Sequence, residues 1–554
     1  MARTIRGIGV SGGFAVAPVV RVAAPVPPPD NEPAAPDAEA QVQAAFDAVA
    51  SELQTLAQQA DGDARDVLSA TALMAGDPAL LTATQDELAK GKGPATAIND
   101  AIAAIAGLFE GMGEYYADRA TDIRGIGARA VAAVLGRPAP GVPVLTRPSV
   151  VVARDLTPAE TVGMDLVNVA GIVTMAGGRT GHTAILAAQY GIPAVVQAGE
   201  IAEVRTGTVV AVDGTRGEIT VEPSEEFIAE QVRRRAERQE LIDTVGGPGA
   251  TRCGHRVALL LNIGDAADAR LAKDTDCEGV GLFRTEFLYL TATTAPSVEK
   301  QAAAYRAVFE AFPRVTIRTL DAGADKPLAF ADLGPEDNPA LGRRGLRLST
   351  ARPELLRTQL AAIAQAAEGT DCSVRVMAPM VATADEAEWF ARAVRTAGLE
   401  TAGVMIEVPA AALGARAILD EVDFGSLGTN DLAQYVMAAD RTQGVLSDLL
   451  DPWQPAVLAC VEQACEGARA AGKPLGVCGE SAGDPALALV LVGLGVSSLS
   501  MAPGLLPAVR ASLALHTLEH CQKMAAAAVS ARSAQAAREA VFALAAPELG
   551  LLAS

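Results

Sequence analysis

The alternation of apolar and polar positions changes character several times along the chain. Residues 1–22, with Ile5-Arg6-Gly7-Ile8-Gly9-Val10 at their start, predict two short strands around a Gly-rich turn. Pro25 to Pro36 is dense in proline and acidic residues and reads as a linker. Between residues 37 and 136 an alanine-rich helical period takes over. It is broken at Asp61-Gly62, Gly76-Asp77-Pro78 and Gly91-Lys92-Gly93-Pro94, which predicts about four helices in an all-α subdomain. Within Ala120–Leu135, Ile123, Ile126, Ala130 and Val134 share one helical face. Strand-like runs return at Val150–Val152, Gly171–Thr174, Ala194–Val196 and Thr208–Val212. The helical block is therefore read as an insertion into a β/α domain built from residues 1–22 and 140–222. Residues 223–250 read as a charged connecting helix.

From Thr251 to the end, eight short apolar runs alternate with alanine-rich helical segments. The runs are Val257–Asn262, Gly279–Glu286, Val315–Asp321, Val374–Met380, Gly403–Glu407, Phe424–Asp431, Leu475–Glu480 and Ser497–Ala502. That order predicts a (β/α)8 TIM barrel over 251–554, and hence a multidomain α/β fold class overall. The uncharged stretch Ala486–Leu506 is interrupted by Gly493, Gly495, Ser497, Ser498, Ser500 and Pro503. It reads as a buried helix (Ala486–Leu494) followed by a buried strand (Ser497–Met501), not as a membrane span.

Composition narrows the function. A net charge of −21 argues against a nucleic-acid partner. No basic segment followed by an apolar one opens the chain, so a soluble protein without a signal peptide is expected. The seven cysteines are odd in number and form no Cys-x-x-Cys pair, which suits a reducing cytoplasm and indicates neither a disulfide framework nor a zinc site. Of the four histidines, His516 and His520 are read as sharing a helix face; with no third ligand apparent, that face is expected to be solvated.

The stretch Gly177-Gly178-Arg179-Thr180-Gly181-His182-Thr183-Ala184 follows a strand-like run and opens a helix. Free N–H groups and the helix dipole favour anions there, so His182 is placed to carry a phosphoryl group. Taken alone, such a loop is more often an ordinary surface turn. The ends of the eight runs alter that balance. Arg284 and Glu286, Arg318 and Asp321, Glu407, Asn430 and Asp431, and Cys478 and Glu480 all lie at or near strand ends. Barrel chemistry sits at the C-terminal face of the strands. Arginines converging with carboxylates there suit an anionic substrate held partly through a divalent metal such as Mg²⁺.

These motifs resemble Enzyme I of the bacterial sugar phosphotransferase system, the phosphoenolpyruvate-protein phosphotransferases. The resemblance spans nearly the whole chain. Besides the histidine loop it rests on Tyr116–Gly127, Gly281–Tyr289, Arg318-Thr319-Leu320-Asp321, Asp325-Lys326, Met405–Ala410, Gly428–Leu432 and Cys478-Gly479-Glu480. It implies that His182 accepts the phosphoryl group of phosphoenolpyruvate. Arg284, Arg318, Arg344 and Arg441 would hold the phosphate, with Asn430 in contact with it. Glu407 and Asp431 would bind Mg²⁺, and Cys478 would protonate enolpyruvate. It further implies a swivelling phosphohistidine domain, a helical subdomain that docks the carrier protein HPr, and a homodimer formed through the barrel. Arg343 replaces a usual tryptophan and is expected to compete with Arg344 for the phosphate. Two rivals stay open at this point. One is an enzyme of the pyruvate phosphate dikinase or phosphoenolpyruvate synthase kind; the other is a non-catalytic regulatory paralogue.

Overall fold

The computed structural model describes residues 3–23, 25–59, 62–111, 117–143, 145–156, 160, 164, 166–177, 182–290, 292–323, 328, 330–331, 334, 336–441 and 443–553. Tyr116, Gly178–Gly181, Asp325-Lys326 and Thr442 lie outside the described residues. The chain divides into two compact units, Met1–Val232 and Arg233–Ser554.

The first unit holds an eight-stranded sheet. Its strands are β1 (Arg3–Arg6), β2 (Ile8–Ser11), β3 (Phe14–Arg21), β4 (Ser149–Ala153), β5 (Val169–Thr174), β6 (Ala194–Val196), β7 (Val209–Asp213) and β8 (Glu218–Val221). Their order is β1-β8-β7-β3-β4-β5-β6-β2, with β3, β4, β5 and β6 parallel and the remaining pairs antiparallel. The amino-terminal segment thus forms three strands where two were expected, because Gly7 separates β1 from β2. β4 shows why its sequence is a continuous apolar run. Val150 and Val152 pack in one core cluster, while Val151 and Ala153 pack in another on the opposite face.

Five helices among the described residues stand between β3 and β4: Ala38–Gln59, Gly62–Ala75, Pro78–Leu88, Pro94–Gly111 and Ala117–Val134. They enclose their own core, which includes Phe46, Leu53, Leu68, Ile98, Ile123 and Ile126. The expected count was about four, since no glycine–proline signal marks the division between Gly111 and Ala117. β3 and β4 pair directly, with Val19 opposite Val150, so the helical block leaves and rejoins the sheet at neighbouring strands.

The second unit is a closed barrel of eight parallel strands: β9 (Ala258–Ile263), β10 (Val280–Phe283), β11 (Arg314–Arg318), β12 (Ser373–Ala378), β13 (Thr401–Ile406), β14 (Phe424–Leu427), β15 (Leu475–Val477) and β16 (Ser498–Met501). β16 returns to β9, with Ser498 opposite Ala258. Each strand matches one of the eight apolar runs, as the fold class required. The long uncharged stretch resolves into a helix, Pro485–Leu494, and the strand β16. The Asp484 side chain accepts hydrogen bonds from the N–H groups of Ala486 and Leu487 at the start of this helix, and Gly495 (φ 119°) ends it. Among the described residues, no helix is long and apolar enough to cross a membrane.

His516 departs from the expected solvated face. It ends the helix Leu506–Leu515 and is fully buried. Its Nε2 accepts from the Ala546 N–H at 3.0 Å, which places the ring proton on Nδ1, 2.8 Å from the Ser512 carbonyl. Burial lowers its pKa below the usual value of 6.5. A basic group with a depressed folded pKa contributes stability in full above its unfolded pKa and loses it as pH falls below that value. Wild-type stability should therefore drop below pH 6.5 more steeply than that of His516→Gln, by at most about 1.4 kcal/mol per pH unit. Denaturant melts from about pH 5 to about pH 7.5, which spans the titration of an ordinary histidine, check this; parallel curves for the two proteins would refute it.

Candidate active site

The C-terminal ends of the barrel strands surround a cavity of about 290 Å³. Arg284, Arg318, Glu407, Asn430, Asp431, Arg441 and Cys478 line it, together with Glu286, Asp321 and Glu480. The residues that the sequence placed near strand ends meet here because a parallel barrel brings every strand's C-terminus to one face. Their local settings differ. Arg284 follows β10 and is exposed, and no carboxylate pairs with it among the described residues. Arg318, the last residue of β11, is nearly buried, with Nη2 3.1 Å from Glu286 Oε1 and Nη1 3.2 Å from Asp321 Oδ2. Asn430 and Asp431 open the helix Thr429–Met437, and Asn430 Oδ1 accepts from the Glu480 N–H at 3.1 Å.

Arg344 does not line the cavity. It is buried behind it, with Nε and Nη2 each 3.0 Å from the two oxygens of Asp321 and Nη1 3.0 Å from Asp431 Oδ1. This fork braces the carboxylates that face the cavity. Arg441 is exposed and reaches Asp431 Oδ2 at 3.5 Å. Arg343 does not compete with Arg344: it is turned to the surface and held by Glu336, with Nε 2.7 Å from Oε1.

Glu407 follows β13 and is fully buried. Its Oε1 accepts from the Met380 N–H at 2.6 Å, while Oε2 has no hydrogen-bond partner. Burial, then the charges of Asp431 and Asp321, raise its pKa, against the pull of Arg318 and the Met380 N–H. An orphaned carboxylate oxygen among like charges suits a cation. A Cβ on Gly428 would lie 2.5 Å from this Oε2, so glycine there leaves the oxygen room. Among the described residues no set of three or more His, Cys, Asp or Glu side chains forms a ready chelate. A cation held by Glu407 and Asp431 would thus complete its shell with substrate and water oxygens, as Mg²⁺ commonly does.

Cys478 follows β15 and is buried. Burial pushes its thiol up to about 11, against a side-chain hydrogen bond with Ser426, so it is protonated at neutral pH. Three supports stand behind these side chains, and of them only Thr285 belongs to a resemblance motif, Gly281–Tyr289. Met380 takes a left-handed backbone (φ 59°) that non-glycine residues rarely adopt, and its N–H serves Glu407. Gln359 accepts from the Leu320 N–H at 3.0 Å and donates to Thr285 Oγ1 at 3.0 Å. Thr285 in turn donates to the Arg318 carbonyl at 3.0 Å.

His182 belongs to the first unit, where it opens the helix His182–Gln189 directly after the undescribed residues of the loop. On the same helix, Thr183 is buried and donates to Asp155 Oδ1 at 3.3 Å.

A barrel that gathers arginines, paired carboxylates and a protonated thiol at one mouth defines an enzyme acting on a small anion. Residues 238–518 match the family described as "PEP-utilising enzyme, PEP-binding domain", residues 145–217 its mobile domain and residues 6–119 its N-terminal region. The phosphoenolpyruvate-protein phosphotransferase of Streptomyces coelicolor is 51% identical over 552 residues, covering 98% of this chain and 99% of its own. Those of Staphylococcus carnosus and Bacillus subtilis are 38% and 35% identical, over 90% and 91% of this chain and 92% and 93% of theirs. The chain belongs to the phosphoenolpyruvate-protein phosphotransferase family.

Proposed function

We propose that this protein takes the phosphoryl group of phosphoenolpyruvate onto His182, releases pyruvate, and passes the group to a histidine of the phosphocarrier protein HPr, as the first step of phosphotransferase-system sugar uptake. The observation that carries this reading is the cavity in which Arg284, Arg318 and Arg441 stand beside Glu407, Asp431 and the protonated Cys478.

In the first half-reaction Arg284, Arg318 and Arg441 grip the phosphate, with Asn430 in contact with it and Arg344 holding Asp431 in place. A neutral imidazole nitrogen of His182 attacks phosphorus as the bond to the enol oxygen breaks. The enolate left behind takes a proton on its terminal carbon from the Cys478 thiol, giving pyruvate, and solvent restores the thiol. Glu407 and Asp431 would hold Mg²⁺, which supplies positive charge against the phosphate and enolate oxygens. His182 and the cavity lie in different units, so the histidine has to be presented to the barrel and then withdrawn to meet HPr.

The domain roles follow. Residues 1–22 and 140–222 would form the swivelling phosphohistidine domain. Residues 37–136 would dock HPr, 223–250 would connect, and 251–554 would bind phosphoenolpyruvate and dimerise. A cytoplasmic homodimer is part of this reading.

The test is incubation with labelled phosphoenolpyruvate and Mg²⁺ in the absence of ATP, followed by HPr. The expected result is pyruvate release matched by labelling of the protein, and discharge of the label onto HPr. A requirement for ATP would favour the dikinase-like reading; binding without labelling would favour the regulator. Arg343→Ala, which removes an exposed ion pair, should leave the KM for phosphoenolpyruvate within a factor of about two. A larger rise would mean that Arg343 does reach the phosphate.

A further inference from the structure

A second cavity, of about 490 Å³, opens at the opposite end of the barrel and shares no lining residue with the first. It is built from strand beginnings: Arg314 opens β11, Ser373 opens β12, Phe424 opens β14 and Ser498 opens β16. Barrel interiors are usually filled by layers of bulky branched side chains. Here Gly281 and Gly476, with Thr316, Ser426 and Ser500, leave the layer open and polar.

Two cations face this space without counter-charge. The Arg375 guanidinium stacks on the Phe424 ring, 3.7 Å from its centroid. Stacking occupies the face of the guanidinium and leaves its N–H edge for a ligand. Neither the Arg375 nor the Arg314 side chain makes a hydrogen bond or ion pair among the described residues, and Arg314 Nε is buried with no partner. The nearest carboxylates are already committed. Glu278 pairs with Arg256 at 2.8 Å and accepts the N–H groups of Gly249 and Leu259. Asp423 accepts the Ala402 N–H at 2.9 Å and faces Arg395 at 3.6 Å. Burial and the neighbouring Arg314 charge depress Arg375 to about 10, and burial also lowers Arg314. Two unpaired arginines held near each other, in a chain of net charge −21, are an unusual arrangement unless an anion completes it. The volume falls within the range of small-molecule sites.

We propose that this cavity is a second ligand site, which takes a small dianion through phosphate or carboxylate oxygens held by Arg314 and Arg375, with the Ser373 and Ser498 hydroxyls as further donors. The proposal stands apart from the function assigned to the first cavity.

The test is equilibrium dialysis of the full-length protein against labelled inorganic phosphate and, separately, labelled malonate. Wild type should bind one equivalent more than the double variant Arg314→Gln/Arg375→Gln, and that equivalent should persist in Arg284→Ala. Loss of the charged contacts should weaken binding at this site by on the order of tenfold to a hundredfold. Tighter phosphate binding would identify a phosphate ester as the natural class, and tighter malonate binding a dicarboxylate. Ser373→Glu, which sets a carboxylate at the exposed rim without touching the Arg375–Phe424 stack, should weaken binding likewise and decides the matter if the double variant does not fold. The proposal is overturned if neither anion binds at millimolar concentration, or if Ser373→Glu and the folded double variant bind as many equivalents as wild type with unchanged affinity.

Discussion

Arg318→Ala is expected to slow phosphoryl transfer from phosphoenolpyruvate by about three orders of magnitude, and to lower folding stability by about 3–5 kcal/mol. Both effects come from one location. Arg318 is buried between Glu286 and Asp321 and also lines the cavity. Burial opposes its charge, yet the surrounding carboxylates raise its pKa above that of a free arginine, so it is a cation under all working conditions. Removing it strips Glu286 of its cation and leaves Asp321 with Arg344 alone, so negative charge accumulates beside Glu407 at the place where a substrate phosphate must enter. Coulomb repulsion then works against both the fold and the substrate. Arg318→Lys should recover part of the stability but little of the rate, because a single ammonium cannot span both carboxylates and the phosphate. Quenched-flow transfer rates and urea melts on the two variants separate the effects. If Arg318→Ala loses stability but transfers at the wild-type rate, Arg318 is a brace and not a substrate ligand.

Glu407→Gln is expected to act in opposite directions on stability and on function. The wild-type carboxylate is fully buried with one oxygen unpartnered, and its burial and its carboxylate neighbours outweigh the help from Arg318 and Met380. Glutamine keeps an oxygen for the Met380 N–H and removes the charge. Without metal, the variant should be more stable than wild type by about 1–3 kcal/mol. Mg²⁺ should raise the melting temperature of wild type and leave that of the variant nearly unchanged, since only a group that binds the cation in the folded state is linked to it. Transfer should fall by about two to three orders of magnitude. Thermal melts with and without Mg²⁺ carry the test independently of activity. A variant less stable than wild type without metal, with an equal Mg²⁺ shift in both, would remove Glu407 from the cation site.

The barrel was legible because its strands are covered on both faces. Leu259, Val315, Val376 and Val404 pack in one core while Leu282, Met377 and Met405 pack in another, so the strands read as plain apolar runs between helical stretches. The run ends were read too far. Phe424–Asp431 looked like one strand, but β14 stops at Leu427, and Thr429 already begins a helix after Gly428. That same overshoot is why the chemical residues lie just beyond the strands, in the loops of the C-terminal face. The supports behind them were not legible. Arg344 serves Asp321 and Asp431, which lie 23 and 87 positions away in sequence. Gln359 acts through its side chain in a helix without any motif, and Met380 through a backbone N–H at the end of an apolar run whose pattern does not mark it. The second cavity was hidden for another reason: Arg314 and Ser373 fall just before apolar runs and Arg375 inside one, and only closure of the barrel brings them together.

The most direct test of the central claim is to locate the phosphoryl group. After brief incubation with phosphoenolpyruvate and Mg²⁺ and digestion under alkaline conditions, mass spectrometry should find the phosphate on the peptide carrying His182, acid-labile and base-stable. The His182→Ala protein should carry none while still binding phosphoenolpyruvate in the barrel. A phosphate mapped to any other residue, or a His182→Ala protein labelled as wild type is, would contradict the account.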